Sequence, residues 1–217
     1  RQEDLPPGKT HDFVDRVECV PGVKRSMSSW QAKGLSFDEY LEHADMNVPT
    51  MRENFQAVTV NPEDDAFFRR LNERLPKSAV TAVVLSESWC GDCTENVPVL
   101  AKLASLYPFL SVRIFPRDEN LDIMDRYLTL GKRTIPVFVF FDEAGEEIGR
   151  FIERPPGAHA FMESARKKVE GLSAEEQKKA MYQARSDLRK LYRQGLYHET
   201  ISMIRKILEK RYEPENS

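Results

Sequence analysis

Eight residues, AVTAVVLS from Ala79 to Ser86, form a near-continuous apolar run rich in β-branched side chains. Such a run reads as a strand buried on both faces, the kind found in sheets with parallel strands and helices on either side. Directly after it comes ESWCGDCTENVP, with Cys90 and Cys93 separated only by Gly91 and Asp92. Apolar residues then recur at helical spacing: Val97, Leu100, Ala101, Leu103, Ala104 and Leu106. A doubly buried strand that turns at once into a helix predicts an α/β architecture.

The flanking pattern extends this reading. Ser36-Phe37-Asp38-Glu39 is a capping box and predicts a helix over Phe37–Asp45. Pro49 interrupts it, and a second helical piece is expected over Thr50–Asn54. FQAVTV (Phe55–Val60) alternates and predicts a short strand. Asn61-Pro62-Glu63-Asp64 opens a helix that stops at Leu75, before Pro76. After the cysteines, strands are expected at Leu110–Phe115, Ile135–Phe141 and Glu146–Ile152, the last two joined by a turn at Asp142–Gly145. A helix over Asn120–Leu130 stops at Gly131, and Pro155-Pro156-Gly157 breaks the chain before a helix over Ala158–Glu170. Strands separated by helices imply parallel crossovers, with the terminal hairpin as an antiparallel edge. Two further helices, from Ser173 to about Gln194 and from about His198 to Arg211, follow the break at Gly171.

Composition sets the limits. With 41% hydrophobic and 31% charged residues the chain reads as soluble and globular, and no apolar run is long enough to span a membrane. The formal net charge of −3 offers no basic excess for a nucleic-acid backbone. No basic stretch followed by an apolar one opens the chain, so a cytoplasmic setting is expected. Three cysteines are too few for a disulfide scaffold. The first 26 residues, with three prolines and no period, read as a disordered or non-native lead-in, with a natural start at Met27. Cys19 falls within that segment.

Three readings of Cys90 and Cys93 compete: a redox pair, part of a metal clip, or two packed thiols. A zinc or iron–sulfur site needs about four ligands. Only Cys19 remains, and His11, His43, His159 and His198 are scattered, so no metal is expected. A strand-to-helix loop is also a poor place for cysteines that merely pack. At a helix N-terminus, free amides and the helix dipole favour a thiolate at Cys90, and Cys93 lies about one turn on, within reach of a disulfide.

Trp89-Cys90-Gly91-Asp92-Cys93 resembles the active site of the thioredoxin family. Pro98, five residues after Cys93, matches the proline that kinks the family's helix. Thr134-Ile135-Pro136, at the head of the strongest strand, resembles the family's cis-proline loop, and Gly145 matches the turn glycine of its last hairpin. The chain looks closest to bacterial thioredoxin-like proteins with extra terminal helices. The resemblance implies a thioredoxin-like fold: a central mixed sheet flanked by helices, with additional N-terminal helices and a C-terminal helical hairpin. The layout expected is a lead-in over 1–35, a helical extension over 36–54, the thioredoxin-like domain over 55–170 and a helical extension over 171–217. It also implies thiol–disulfide exchange with no cofactor. Cys90 would attack a substrate disulfide, Cys93 would resolve the mixed disulfide, and cis-Pro136 would leave the Ile135 backbone free to pair with an extended substrate. Trp89, Gly91, Asp92 and Pro98 would shape the site, and Thr134, Ile135 and Pro136 would bind substrate.

Two positions depart from the family. Proline usually stands where this chain has Asp92. A buried acid usually lies six residues before the first cysteine, where this chain has Val84; Glu87 could approach instead from the loop. The Asp92 carboxylate opposes a thiolate at Cys90 and should raise its pKa modestly, with Lys132 and Arg133 as candidates to offset it.

From Phe161 to Arg211 there are 13 Lys/Arg against 7 Asp/Glu, a basic, solvated helical face. Gly195, Tyr197, Ile201, Leu208 and Pro214 resemble the second helix of a tetratricopeptide unit. A lone unit needs a neighbour for its apolar face, supplied by the chain's own sheet or by a protein partner. The functional expectation is an oxidoreductase acting on protein or low-molecular-weight disulfides with an unidentified electron donor. The alternatives are a redox-sensing binding module and an interaction protein with little turnover.

Overall fold

A computed structural model describes residues 33–213. Met27, His11, Cys19 and Pro214 lie outside the described residues. Helix α1 (Phe37–His43) is capped by Ser36, whose hydroxyl accepts from the Glu39 amide while the Glu39 carboxylate accepts from the Ser36 amide. Helix α2 spans Val48–Ala57 and α3 Pro62–Arg74. Strand β1 (Val80–Ser86) leads into α4 (Gly91–Leu106), then β2 (Leu110–Pro116). A 3₁₀ turn at Arg117–Glu119 and the single-turn α5 (Leu121–Met124) precede β3 (Val137–Phe141) and β4 (Glu147–Ile152). Helices α6 (Pro156–Lys168), α7 (Ala174–Leu191) and α8 (Tyr197–Tyr212) complete the chain.

The sheet order is β2-β1-β3-β4. Strand β1 runs parallel to β2 and antiparallel to β3, and β3 is antiparallel to β4. Every residue of β1 is buried, as its composition predicts, so both faces of the sheet are covered. Among the described residues only the β1–α4–β2 connection is a parallel crossover. The route from β2 to β3 reverses the strand direction, which corrects the expectation of parallel crossovers throughout.

Several boundaries are corrected. FQAVTV forms no strand: Phe55–Ala57 complete α2, where Phe55 stacks on Phe37 with ring centroids 5.3 Å apart. Pro49 starts that helix, because its fixed φ suits a first turn whose amide would go unpaired anyway. The helix expected over Asn120–Leu130 shrinks to one turn. Thr129 and Lys132 exchange backbone hydrogen bonds across Leu130 (φ 50°) and Gly131 (φ 73°), the two left-handed positions of a tight hairpin turn. Pro155 and Pro156 open α6 instead of breaking the chain.

Leu35, at the end of the expected lead-in, also joins the fold. It makes an antiparallel bridge to Ile114, with two 2.8 Å hydrogen bonds. Beside it, a Cβ on Gly34 would lie 2.6 Å from the Arg113 Cβ, so that close approach needs glycine.

The last helix is part of the main core. Ile201, Ile204 and Leu208 are fully buried in the same cluster as Val84, Leu100 and Phe138. Its apolar face is therefore covered by the chain's own sheet and helices. Gly195, at φ 111°, makes the turn between α7 and α8. A smaller cluster of Ala158, Met162, Ala184, Leu188 and Tyr192 joins α6 to α7.

Candidate active site

Cys90 is the N-cap of α4. Its sulfur accepts from the Cys93 amide at 3.4 Å and lies 3.6 Å from the Ile135 carbonyl, to which its thiol can donate. The Ile135–Pro136 peptide is cis, and the Pro136 carbonyl accepts from the Glu153 amide at 2.7 Å. The C-x-x-C turn and the Ile-Pro loop, 45 residues apart in sequence, thus meet at one sulfur atom. Both cysteines are free thiols. Cys90 is 9% exposed and Cys93 is fully buried.

That difference sorts the two thiols. The Cys93 thiol donates to Cys90 and holds its pKa down, helped by the Cys93 and Asp92 amides against burial and the Asp92 charge. Burial pushes Cys93 well up, reinforced by its bond to Cys90. Cys90 is the less buried, more acidic member of the pair, and Cys93 is the dry, protonated one.

Pro98 sits inside α4, where it cannot donate to the Thr94 carbonyl one turn back. Asn54 of α2 fills the gap: its amide donates to the Thr94 carbonyl and to the Glu95 carboxylate, both at 3.0 Å. Glu95 is buried, and burial pushes its pKa to about 7, against Arg189, Arg193 and Asn54.

Asp92 has a partner that the sequence does not reveal. Arg154, just past β4, donates from Nη2 to the Asp92 carboxylate at 2.6 Å and also bonds Glu153. Arg154 is only 8% exposed. Burial still dominates at Asp92 and lifts its pKa to about 6, with Arg154 the main opposing charge. Arg154 therefore takes the role expected of Lys132 or Arg133. Arg133 is occupied with Asp125 through two bonds of 2.7 and 2.9 Å, and Lys132 is exposed in the hairpin turn.

The remaining site residues are placed as follows. Trp89 is 49% exposed and lies under the Arg117 guanidinium, 5.0 Å from the ring centroid. It borders the site without packing into the core. Gly91 is exposed, and a Cβ there would meet nothing within 4 Å, which leaves open space beside Cys90. Thr134 is half-buried, next to the buried Ile135 and Pro136. Glu87 does not reach the cysteines with its carboxylate, which accepts from the Asp118 amide at 2.7 Å, although its carbonyl accepts from the Cys90 amide.

The N-terminal helices reach the site as well. Asn47 donates to the Ser88 carbonyl at 2.7 Å and fixes the loop before Trp89. Tyr40 of α1 comes within 2.9 Å of the Ser86 hydroxyl beneath the cysteines. Among the described residues no three His, Cys, Asp or Glu side chains cluster as metal ligands, and no helix is long and apolar enough to cross a membrane.

A family profile described as Thioredoxin matches residues 34–167. The chain belongs to the thioredoxin family. The matched span runs from the Leu35 bridge to the end of α6 and contains both cysteines and the Ile-Pro loop. A curated relative, Thioredoxin Asp f 29 of Aspergillus fumigatus, is 26% identical over 88 residues, which are 40% of this chain and 78% of the relative. Two solved structures share the fold of this thioredoxin-family chain. An HIV epitope-scaffold superposes with a TM-score of 0.62 at 19% identity, covering 86% of this chain and 99% of the scaffold. A protein of unknown function from Pseudomonas aeruginosa gives a TM-score of 0.59 at 21% identity, covering 86% and 98%.

Proposed function

We propose that the chain is a thiol–disulfide oxidoreductase of bacterial cytoplasm that reduces protein or low-molecular-weight disulfides. The observation that carries this reading is the Cys90 sulfur. It caps a helix, accepts from the Cys93 amide and faces the Ile135 carbonyl beside a cis-proline. In the proposed cycle Cys90 attacks one sulfur of the substrate disulfide as a thiolate. The other substrate sulfur leaves, and a mixed disulfide forms at Cys90. Cys93 then attacks Cys90, the reduced substrate departs, and the Cys90–Cys93 disulfide awaits an external dithiol donor.

Trp89, Gly91 and the Thr134-Ile135-Pro136 loop form the proposed surface on which an extended substrate lies, with backbone pairing at Ile135. A protein partner at the C-terminal helices would meet their polar outer face, because the apolar residues of α8 are already covered.

Insulin reduction with dithiothreitol as the electron source tests this reading. The wild-type chain should speed insulin precipitation above dithiothreitol alone, and Cys90→Ser should not. No acceleration by the wild type would favour a redox-sensing binding module over an enzyme.

A further inference from the structure

Below the two thiols lies a pair of buried hydroxyls. Ser86 ends β1 and is fully buried, and its hydroxyl is one of the groups that hold the Cys93 pKa down against the burial that raises it. On its other side the Tyr40 hydroxyl lies 2.9 Å away. Tyr40 is 2% exposed and belongs to α1, a helix outside the sheet. The groups acting on the Cys93 sulfur are Cys90, the Ser86 hydroxyl and the Glu87 backbone, with Tyr40 behind Ser86. The Glu87 carboxylate is held by the Asp118 amide, and Val84 fills the strand position where thioredoxins carry an acid.

The demand on this pocket arises in the resolving step. While Cys90 is a thiolate, Cys93 keeps its proton and donates to it. Once Cys90 enters a mixed disulfide that acceptor is gone, and Cys93 must itself react as a thiolate in a dry site. An anion buried without donors is costly, and preorganised donors aimed at the developing charge remove that cost. A hydroxyl that itself accepts a hydrogen bond is a stronger donor.

Resting on the dithiol reading above, we propose that Ser86 and Tyr40 act as a hydroxyl pair that stabilises the Cys93 thiolate during resolution. Ser86 is then a catalytic residue, and Tyr40 a positioning residue acting through it. Both keep their protons. The Cys93–Cys90 S–S bond forms as the Cys90–substrate S–S bond breaks. The substrate sulfur leaves with the electron pair and takes up the proton that Cys93 released. The dithiol loses two electrons and the substrate disulfide gains them.

Stopped-flow reaction of the reduced full chain, with Cys19→Ser so that Cys90 and Cys93 are its remaining thiols, with dithiobis(nitrobenzoate) tests the proposal. The first coloured thiolate is released by Cys90 attack, at a rate that scales with reagent. The second is released by resolution, at a rate that does not. Ser86→Ala should slow the second release about tenfold and move its pH midpoint upward, because a hydrogen bond to a charged group is lost. Tyr40→Phe, which keeps the ring and so the packing, should slow it about threefold in the same direction. The first release should be unchanged in both. An unchanged second release, or equal slowing of both, overturns the proposal. A wild-type chain that gives no first release overturns the dithiol reading and this inference together.

Discussion

Glu95→Gln should stabilise the chain by about 3 kcal/mol near pH 8 and leave it unchanged near pH 4. The side chain is buried in α4, and burial lifts its pKa from the ordinary 4.5 to about 7. The folded chain therefore holds a proton that the unfolded chain has released throughout that window. Stability falls as pH rises through the window, by about 1.4 kcal/mol per unit, and the loss is complete above the folded pKa. Glutamine has nearly the same volume and keeps an oxygen for the Asn54 amide, but carries no charge to bury. Urea unfolding at the two pH values measures the effect. A variant that keeps the wild-type pH slope, or is weaker near pH 8, would contradict it.

Arg154→Met should act in the opposite sense, costing about 3 kcal/mol near pH 8. It removes the guanidinium that bonds Asp92 and Glu153, leaving two carboxylates with little solvent between the start of α4 and the end of β4. The Asp92 pKa of about 6 is already above its ordinary 3.8. Its contribution to stability is therefore complete at low pH and is lost as pH rises through the folded value. Without Arg154 that folded value climbs further and the loss deepens. Near pH 4 Asp92 is protonated in the folded chain with or without Arg154, and the cost shrinks to lost packing. Asp92→Asn in the same chain should recover most of the stability near pH 8. Equal losses at both pH values would mean that Arg154 packs without pairing.

These two carboxylates show where sequence reading ends. Features set by neighbours in sequence were legible. The capping boxes at Ser36 and Ser173, the Asn61 cap and the buried strand ending at Ser86 all depend on a few adjacent residues. The cysteine turn and the Ile-Pro loop were legible through family resemblance, and the two meet at Cys90. What tunes the site was not legible. Arg154 is 62 residues from Asp92, Tyr40 is 46 from Ser86, and Asn54 reaches Thr94 across 40. Each is a common polar residue with no spacing that marks it, and only the packing of the terminal helices and β4 brings it to the site.

FQAVTV departs from its expected strand for a related reason. Its alternation fits a strand, but Met51 and Phe55 are four residues apart on one helical face, and Phe55 finds Phe37 there. The direction of β3, expected parallel and found antiparallel to β1, depends on how the chain crosses between β2 and β3, which residue type does not encode.

The central claim is a division of labour: Cys90 attacks and Cys93 resolves. Its most direct test, with Cys19 replaced by serine in every chain compared, is the mass of the Cys93→Ser chain after incubation with a peptide disulfide. One peptide should be attached through Cys90, stable until dithiothreitol is added, while Cys90→Ser captures none and the wild type releases its peptide. Capture through Cys93 in the Cys90→Ser chain, or no adduct in Cys93→Ser, would contradict the account.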